Sequence, residues 1–173
     1  MNDEEREIIN ELAEAVIEHY KIQVPIVDIY EVVRQIGGEV VTNCSMNDLL
    51  DGCIKKVGNS FVISIIPYQP PNRINFTIAH ELGHLFLHMG YVINEQLWNK
   101  QDTEPYYRKG STEKENQANE FAAALLMPRK MYKKVMDSCT NGNIVDTAKI
   151  AEYFHVSVEA ASNRGKWLGY FVW

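Results

Sequence analysis

Apolar residues along the first twenty positions recur every three to four residues, with Ile8, Ile9, Leu12, Ala13, Val16 and Ile17 forming one stripe. Asn2 and Glu5 stand ahead of it at capping-box spacing, which predicts a helix from the start to about Tyr20. Pro25 interrupts the chain. Asp28 and Glu31 then repeat the cap pattern before a second helix carrying Ile29, Val32, Val33 and Ile36, stopped at Gly37-Gly38. From Glu39 to Ile66 the period shortens. Strands are predicted from Val40-Val41, from Gly52 to Val57 and from Ser60 to Ile66, with Gly58-Asn59 as a two-residue turn between the last two. Pro67, Pro70 and Pro71 end the sheet, and a third helix is predicted from near Asn72 to about Met89, with Gly90 as its stop. Tyr91 to Ser111 is polar and too long for a plain connector, which predicts a functional or partly structured loop. A fourth helix is expected from Ser111 or Thr112 to Met127, and Pro128 opens another segment to about Met136. Ile144 to Tyr153 and Ser157 to Leu168 read as two short helices joined at Phe154-His155-Val156. The order predicts an α+β fold with a small antiparallel three-stranded sheet packed on helices. Residues 1–137 are expected to form the main domain, and 138–173 a C-terminal helical segment packed on it.

Composition narrows the setting. The chain has 173 residues, 46% apolar and 23% charged, with a formal charge of −6, which suits one domain and excludes a disordered chain. The run from Phe61 to Ile66 is far short of the ~20 apolar residues a membrane helix needs. The acidic start, Met1-Asn-Asp-Glu-Glu-Arg-Glu, lacks the basic-then-apolar order of a secretion signal. A soluble, cytoplasmic protein without membrane association is expected. Cys44, Cys53 and Cys139 are widely spread and odd in number, consistent with reduced thiols in a cytosol. The acidic balance gives no face for neutralising phosphates, so direct DNA binding is not expected.

Three of the five histidines, His80, His84 and His88, fall within nine residues, and His80-Glu81-Leu82-Gly83-His84 is an HExxH element. Residues four apart stack on one helix face, so both imidazoles can reach a single ion at about 2.0–2.1 Å. Glu81 borders the same cleft and can take a proton from the attacking water without being a ligand. His88 lies four residues further on, about 12 Å along a continuous helix from His80, too far to share the ion. It is expected behind or beside the ligands. The third ligand is sought on the fourth helix, where Glu115, Ala118, Asn119 and Ala122 share a face. Small residues below Glu115 would let the two helices approach closely, and Asn119 could accept the free ring N–H of a ligating histidine. Glu115 could instead serve only the capping box begun by Thr112, and Glu120, Asp102 and Glu104 are the next candidates as ligand.

Phe76-Thr-Ile-Ala-His-Glu-Leu-Gly-His and Glu115-x-x-Ala-Asn-x-Phe-Ala-Ala-x-Leu-Leu-Met-Pro128 resemble the corresponding motifs of the ImmA/IrrE metallopeptidases. The helix–Pro25–helix start and the stretch Ala151-x-x-Phe154-x-Val156-Ser157…Ala160…Arg164 are also similar, so the resemblance covers nearly the whole chain. It implies a zincin-like fold with gluzincin-like active-site helices and a cytoplasmic endopeptidase. In that reading His80, His84 and Glu115 hold one zinc ion per chain and Glu81 is the catalytic base. The implied substrate is a helix-turn-helix transcriptional repressor, whose cleavage releases a stress or mobile-element operon. Gly165 departs from the pattern, standing where members usually carry an apolar residue.

Amide hydrolysis also needs a group facing the oxyanion, and Tyr106, Tyr107 and Arg108 lie between the two ligand-bearing helices. Strand Phe61 to Ile66 is either an edge that binds extended substrate or a buried central strand. Trp98, Trp167 and Trp173 are expected to be packing residues, with Trp98 also a candidate substrate contact. The terminal segment has helix-turn-helix apolar spacing, but Arg164 and Lys166 against Glu159 give little positive charge. Two rival readings follow: a non-proteolytic anti-repressor that sequesters its partner around a structural or sensing metal, and a DNA-binding regulator. Two histidines and a carboxylate can also hold manganese, iron or cobalt.

Overall fold

The computed structural model describes residues 1–42, 52–101 and 112–172. Helix α1 (Asp3–His19) begins with the reciprocal cap its sequence predicts: Asn2 Oδ1 accepts from the Glu5 N–H at 2.8 Å, and the Glu5 carboxylate accepts from the Asn2 N–H at 3.1 Å. In α2 (Ile29–Ile36), Asp28 accepts from the N–H groups of Tyr30 and Glu31, and the whole apolar stripe is buried.

The sheet differs from expectation. Its order is β1 (Glu39–Val41), β3 (Ser60–Ile65), β2 (Gly52–Val57), so the last strand in sequence lies in the middle. The β2–β3 pair is an antiparallel hairpin closed at Gly58-Asn59, with Val57 opposite Ser60. The β1–β3 pair is parallel, with Glu39 opposite Val62, so the sheet is mixed rather than wholly antiparallel. Alternation of apolar residues sets which faces a strand buries, and that requirement is the same for either direction of a neighbour. Phe61, Val62, Ile63 and Ile65 are all buried, as a strand covered on both faces requires. Among the described residues β1 and β2 are therefore the two edges of this sheet.

Helix α3 (Pro71–Leu87) leaves the sheet and packs on both β2 and β3, and on α5 (Thr112–Leu126) most extensively of all. At Gly83 a Cβ would stand 3.0 Å from both the Cα and the carbonyl oxygen of Ala118. Backbone meets backbone there, so Gly83 and Ala118 together set how closely α3 and α5 approach. Between them, α4 (Glu95–Asn99) gives structure to part of the stretch read as a loop. Its Trp98 is buried edge-on against Tyr91, ring centroids 4.9 Å apart, which makes it a core residue and not a substrate contact.

After α5 come α6 (Arg129–Ser138), a short hairpin of β4 (Thr140–Asn141) and β5 (Ile144–Val145), α7 (Thr147–Phe154) and α8 (Val158–Trp167). The hairpin occupies residues read as the start of a helix. Tyr132 of α6 is the seat for the last two helices: its ring stacks on Phe154, and its hydroxyl donates to the Ala161 carbonyl at 2.6 Å. A Cβ at Gly165 would lie 2.2 Å from Phe171 and 2.6 Å from the Tyr132 hydroxyl, so glycine there accommodates two aromatic side chains. One apolar core runs from Ile9 of α1 to Ala161 of α8.

Candidate metal centre

Helices α3 and α5 bring His80, His84 and Glu115 together, with one ligand-type atom from each inside a 4.8 Å span. The two Nε2 atoms are 3.0 Å apart, and the Glu115 oxygens lie 3.3 Å from His80 Nε2 and 3.5 Å from His84 Nε2. Ligands at 2.0–2.1 Å around a tetrahedral ion stand ~3.3 Å from one another, so these spacings suit a zinc-sized cation. The donor set suits it equally: two imidazole Nε2 atoms, each able to offer a lone pair, converge with a carboxylate. Both histidines are buried, and Glu115 is about a fifth exposed.

Each imidazole is held from behind. His80 Nδ1 lies 2.9 Å from Asn119 Oδ1, and with the ring proton there Nε2 is left as a lone-pair donor toward the ion. His84 Nδ1 faces His88 Nδ1 at 2.8 Å. His88 is the C-cap of α3, and its backbone N–H donates to the His84 carbonyl at 3.0 Å. Burial pushes the His88 imidazole below the usual histidine range, the largest influence on it, which favours the neutral ring.

Glu81 is 5% exposed and lines a cleft of about 370 Å³ with Gly52, Phe76, Thr77, His80, Glu115 and Asn119. Gly52 opens the edge strand β2. A Cβ there would stand 2.7 Å from Thr77 Cγ2 and 3.4 Å from Glu81 Oε1, so its bareness keeps room above the HExxH helix. Sequence reasoning missed Gly52, whose only signal is a glycine at the head of a strand; it also missed Gln117, whose Oε1 faces His88 Nε2 at 3.0 Å as an acceptor.

Glu120 is not beside the metal cluster. It sits in the interior with Arg6 Nη1 on one carboxylate oxygen, and Arg164 Nη1 at 2.9 Å and Asn10 Nδ2 at 2.8 Å on the other. Its earlier place among ligand candidates is thereby corrected: two guanidiniums already neutralise it. Arg164, one of the few positive charges counted on the last helix, is buried and also donates to Asn10 Oδ1 at 2.7 Å and the Met127 carbonyl at 3.1 Å. Trp167 is half exposed beneath the Arg6 guanidinium, 3.7 Å from its ring centre. Asp102, Glu104, Tyr106, Tyr107, Arg108, Cys44 and Trp173 lie outside the described residues. Cys53 and Cys139 form no disulfide.

A mixed sheet under an HExxH helix, with a glutamate delivered by a second helix, defines the zincin-like class of α+β fold. Residues 51–166 match the Peptidase_M78 model, described as the IrrE N-terminal-like domain, and the chain belongs to that family of metallopeptidases. A Mycobacterium tuberculosis transcriptional regulator of known structure is similar in fold, with a TM-score of 0.58 and 19% identity over 90% of this chain and 45% of that one. The chain thus spans less than half of that regulator's length. Comparison with curated proteins gives no match. Among the described residues, no helix is long and apolar enough to cross a membrane.

Proposed function

We propose that this chain is a zinc-dependent endopeptidase of the cytoplasm that cleaves a helix-turn-helix transcriptional repressor. The observation that carries the proposal is the convergence of His80, His84 and Glu115 with a second carboxylate, Glu81, lining the same cleft. A structural metal needs ligands but no such neighbour. When bound, a zinc ion supplies Lewis acidity for the scissile carbonyl and brings the pKa of water to about 7. Glu81 then takes the proton of the attacking water and hands it to the leaving amine. His80, His84 and Glu115 would hold the ion, with Asn119 and His88 fixing the two rings.

An extended substrate fits the surroundings. The cleft shares Phe76, Thr77 and Asn119 with an adjoining groove of about 760 Å³ that reaches α8. Asn72, Asn116 and Asn163 line it and offer amide groups that can pair with a peptide main chain. The edge strand β2, with Gly52 at the cleft, pairs with no second strand among the described residues and is a candidate for strand addition. The repressor as substrate rests on the family's motifs, and residues 138–173 would serve as a packed helical segment that helps to dock it. Burial of Arg164 leaves α8 with even less positive charge for binding DNA.

Mixing the zinc-loaded protein with a helix-turn-helix repressor from its own genome and separating the products tests the reading. Fragments are expected, and Glu81→Gln should slow their appearance roughly 10²–10⁴-fold while zinc still binds. An intact repressor held in a stable complex would instead identify a sequestering anti-repressor.

A further inference from the structure

Resting on the metal-centre reading, we infer that Glu5, at the start of α1, is a positioning residue for the candidate metal ligand His84, acting through Gln117 and His88. The three contacts form one line. Glu5 Oε1 is 3.2 Å from Gln117 Nε2, Gln117 Oε1 is 3.0 Å from His88 Nε2, and His88 Nδ1 is 2.8 Å from His84 Nδ1.

Direction follows from the end of the line. An ionised carboxylate only accepts, so Gln117 must present its NH₂ group to Glu5. Its oxygen then faces His88 and needs a donor, which puts the His88 proton on Nε2. A neutral imidazole with its proton on Nε2 has an acceptor at Nδ1. His84 must therefore carry its own proton on Nδ1, and its Nε2, 3.5 Å from Glu115, is left with a lone pair for the cation. With both rings neutral, each step has one solution. Without the carboxylate, Gln117 could flip, the line could run the other way, and His84 would place a proton where the ion belongs.

Glu5 also closes the α1 capping box, accepting from the Asn2 N–H at 3.1 Å. The same side chain thus anchors a helix end and orients an amide on α5. Glu5→Gln separates the two tasks, because glutamine at this position still completes a capping box.

The test is zinc affinity, by competition with a chelator, together with histidine tautomers from long-range ¹H–¹⁵N NMR spectra. Gln117→Leu and His88→Phe should each weaken zinc binding about 10–100-fold. Glu5→Gln should weaken it several-fold with little change in the melting of the metal-free protein. The exchange Glu5→Gln/Gln117→Glu should recover affinity, since a carboxylate at 117 accepts from His88 directly. In the parent, His84 should be protonated at Nδ1 and His88 at Nε2. A His88 protonated at Nδ1, or folded variants that bind zinc within twofold of the parent, would overturn the inference. If a variant fails to fold, the parent's tautomers decide. If the parent binds no divalent metal, the metallopeptidase reading falls, while tautomers of the metal-free protein still decide the direction of the line.

Discussion

Glu115 and Glu120 stand five residues apart on one helix and meet opposite kinds of company. Glu115 faces two imidazole nitrogens able to offer lone pairs, and Glu120 faces two guanidiniums and an amide that present protons. The second cluster is complementary in itself and largely buried, in the wall of the adjoining groove. The first gathers groups able to act as ligands, at the edge of a cleft, and suits a positive ion. A carboxylate on a helix therefore becomes a ligand or an anchor according to what the neighbouring helices bring. Residue type alone does not decide it.

Substitution of the two glutamates should separate the clusters most sharply. Glu120→Ala leaves Arg6 and Arg164 buried without their counter-charge and should cost ~3–5 kcal/mol, measured by urea unfolding of the metal-free protein. Glu115→Ala under the same conditions should stay within about 1 kcal/mol, because only a first-turn acidic side chain is lost. Equal losses for both would erase the distinction. Metal removal comes next: with zinc at a hundred times its Kd, chelation should withdraw about 2.7 kcal/mol and lower the parent's melting temperature. Glu115→Ala should abolish most of that protection, and a Glu120 variant that still folds should keep it.

Gly83→Ala probes the approach that makes the first cluster possible. The new methyl would press on the Ala118 backbone and should cost about 1–3 kcal/mol, with zinc affinity falling as α3 and α5 move apart. The smallest effect belongs to the exposed pair that links α1 to α6. Arg129 holds the Glu7 carboxyl below its ordinary value of 4.5 through two hydrogen bonds of 2.9 and 2.5 Å. Stability from this pair is present above that ordinary value and is lost as pH falls through the lower folded value. Water screens it, so a few tenths of a kcal/mol are expected in acid titrations of the parent against Arg129→Ala.

Helices were legible where caps and stripes agreed, as in α1 and α2, and the HExxH element announced two imidazoles on one face. The parallel β1–β3 pairing was not legible, because buried strands need the same residues whichever way a neighbour runs. Two Gly-Asn turns occur, at 58–59 and 142–143, and only the first stood out: it joins six-residue strands, whereas the second joins strands of two residues with no period to read. The Glu120 cluster was hidden for another reason. Its members come from α1, α5 and α8, and nothing in a local pattern links residues 6, 10, 120 and 164. Glu115 was recoverable because its motif is local, and Gln117 was not, because its importance depends on a side chain more than a hundred positions away.

Arg164 threads α8 back through the interior to the carbonyl of Met127 and to side chains of the first and fifth helices. The last helix is therefore a keystone of the peptidase body. Any shortened version designed for crystallography or engineering has to retain it, and a fused module is best attached beyond it.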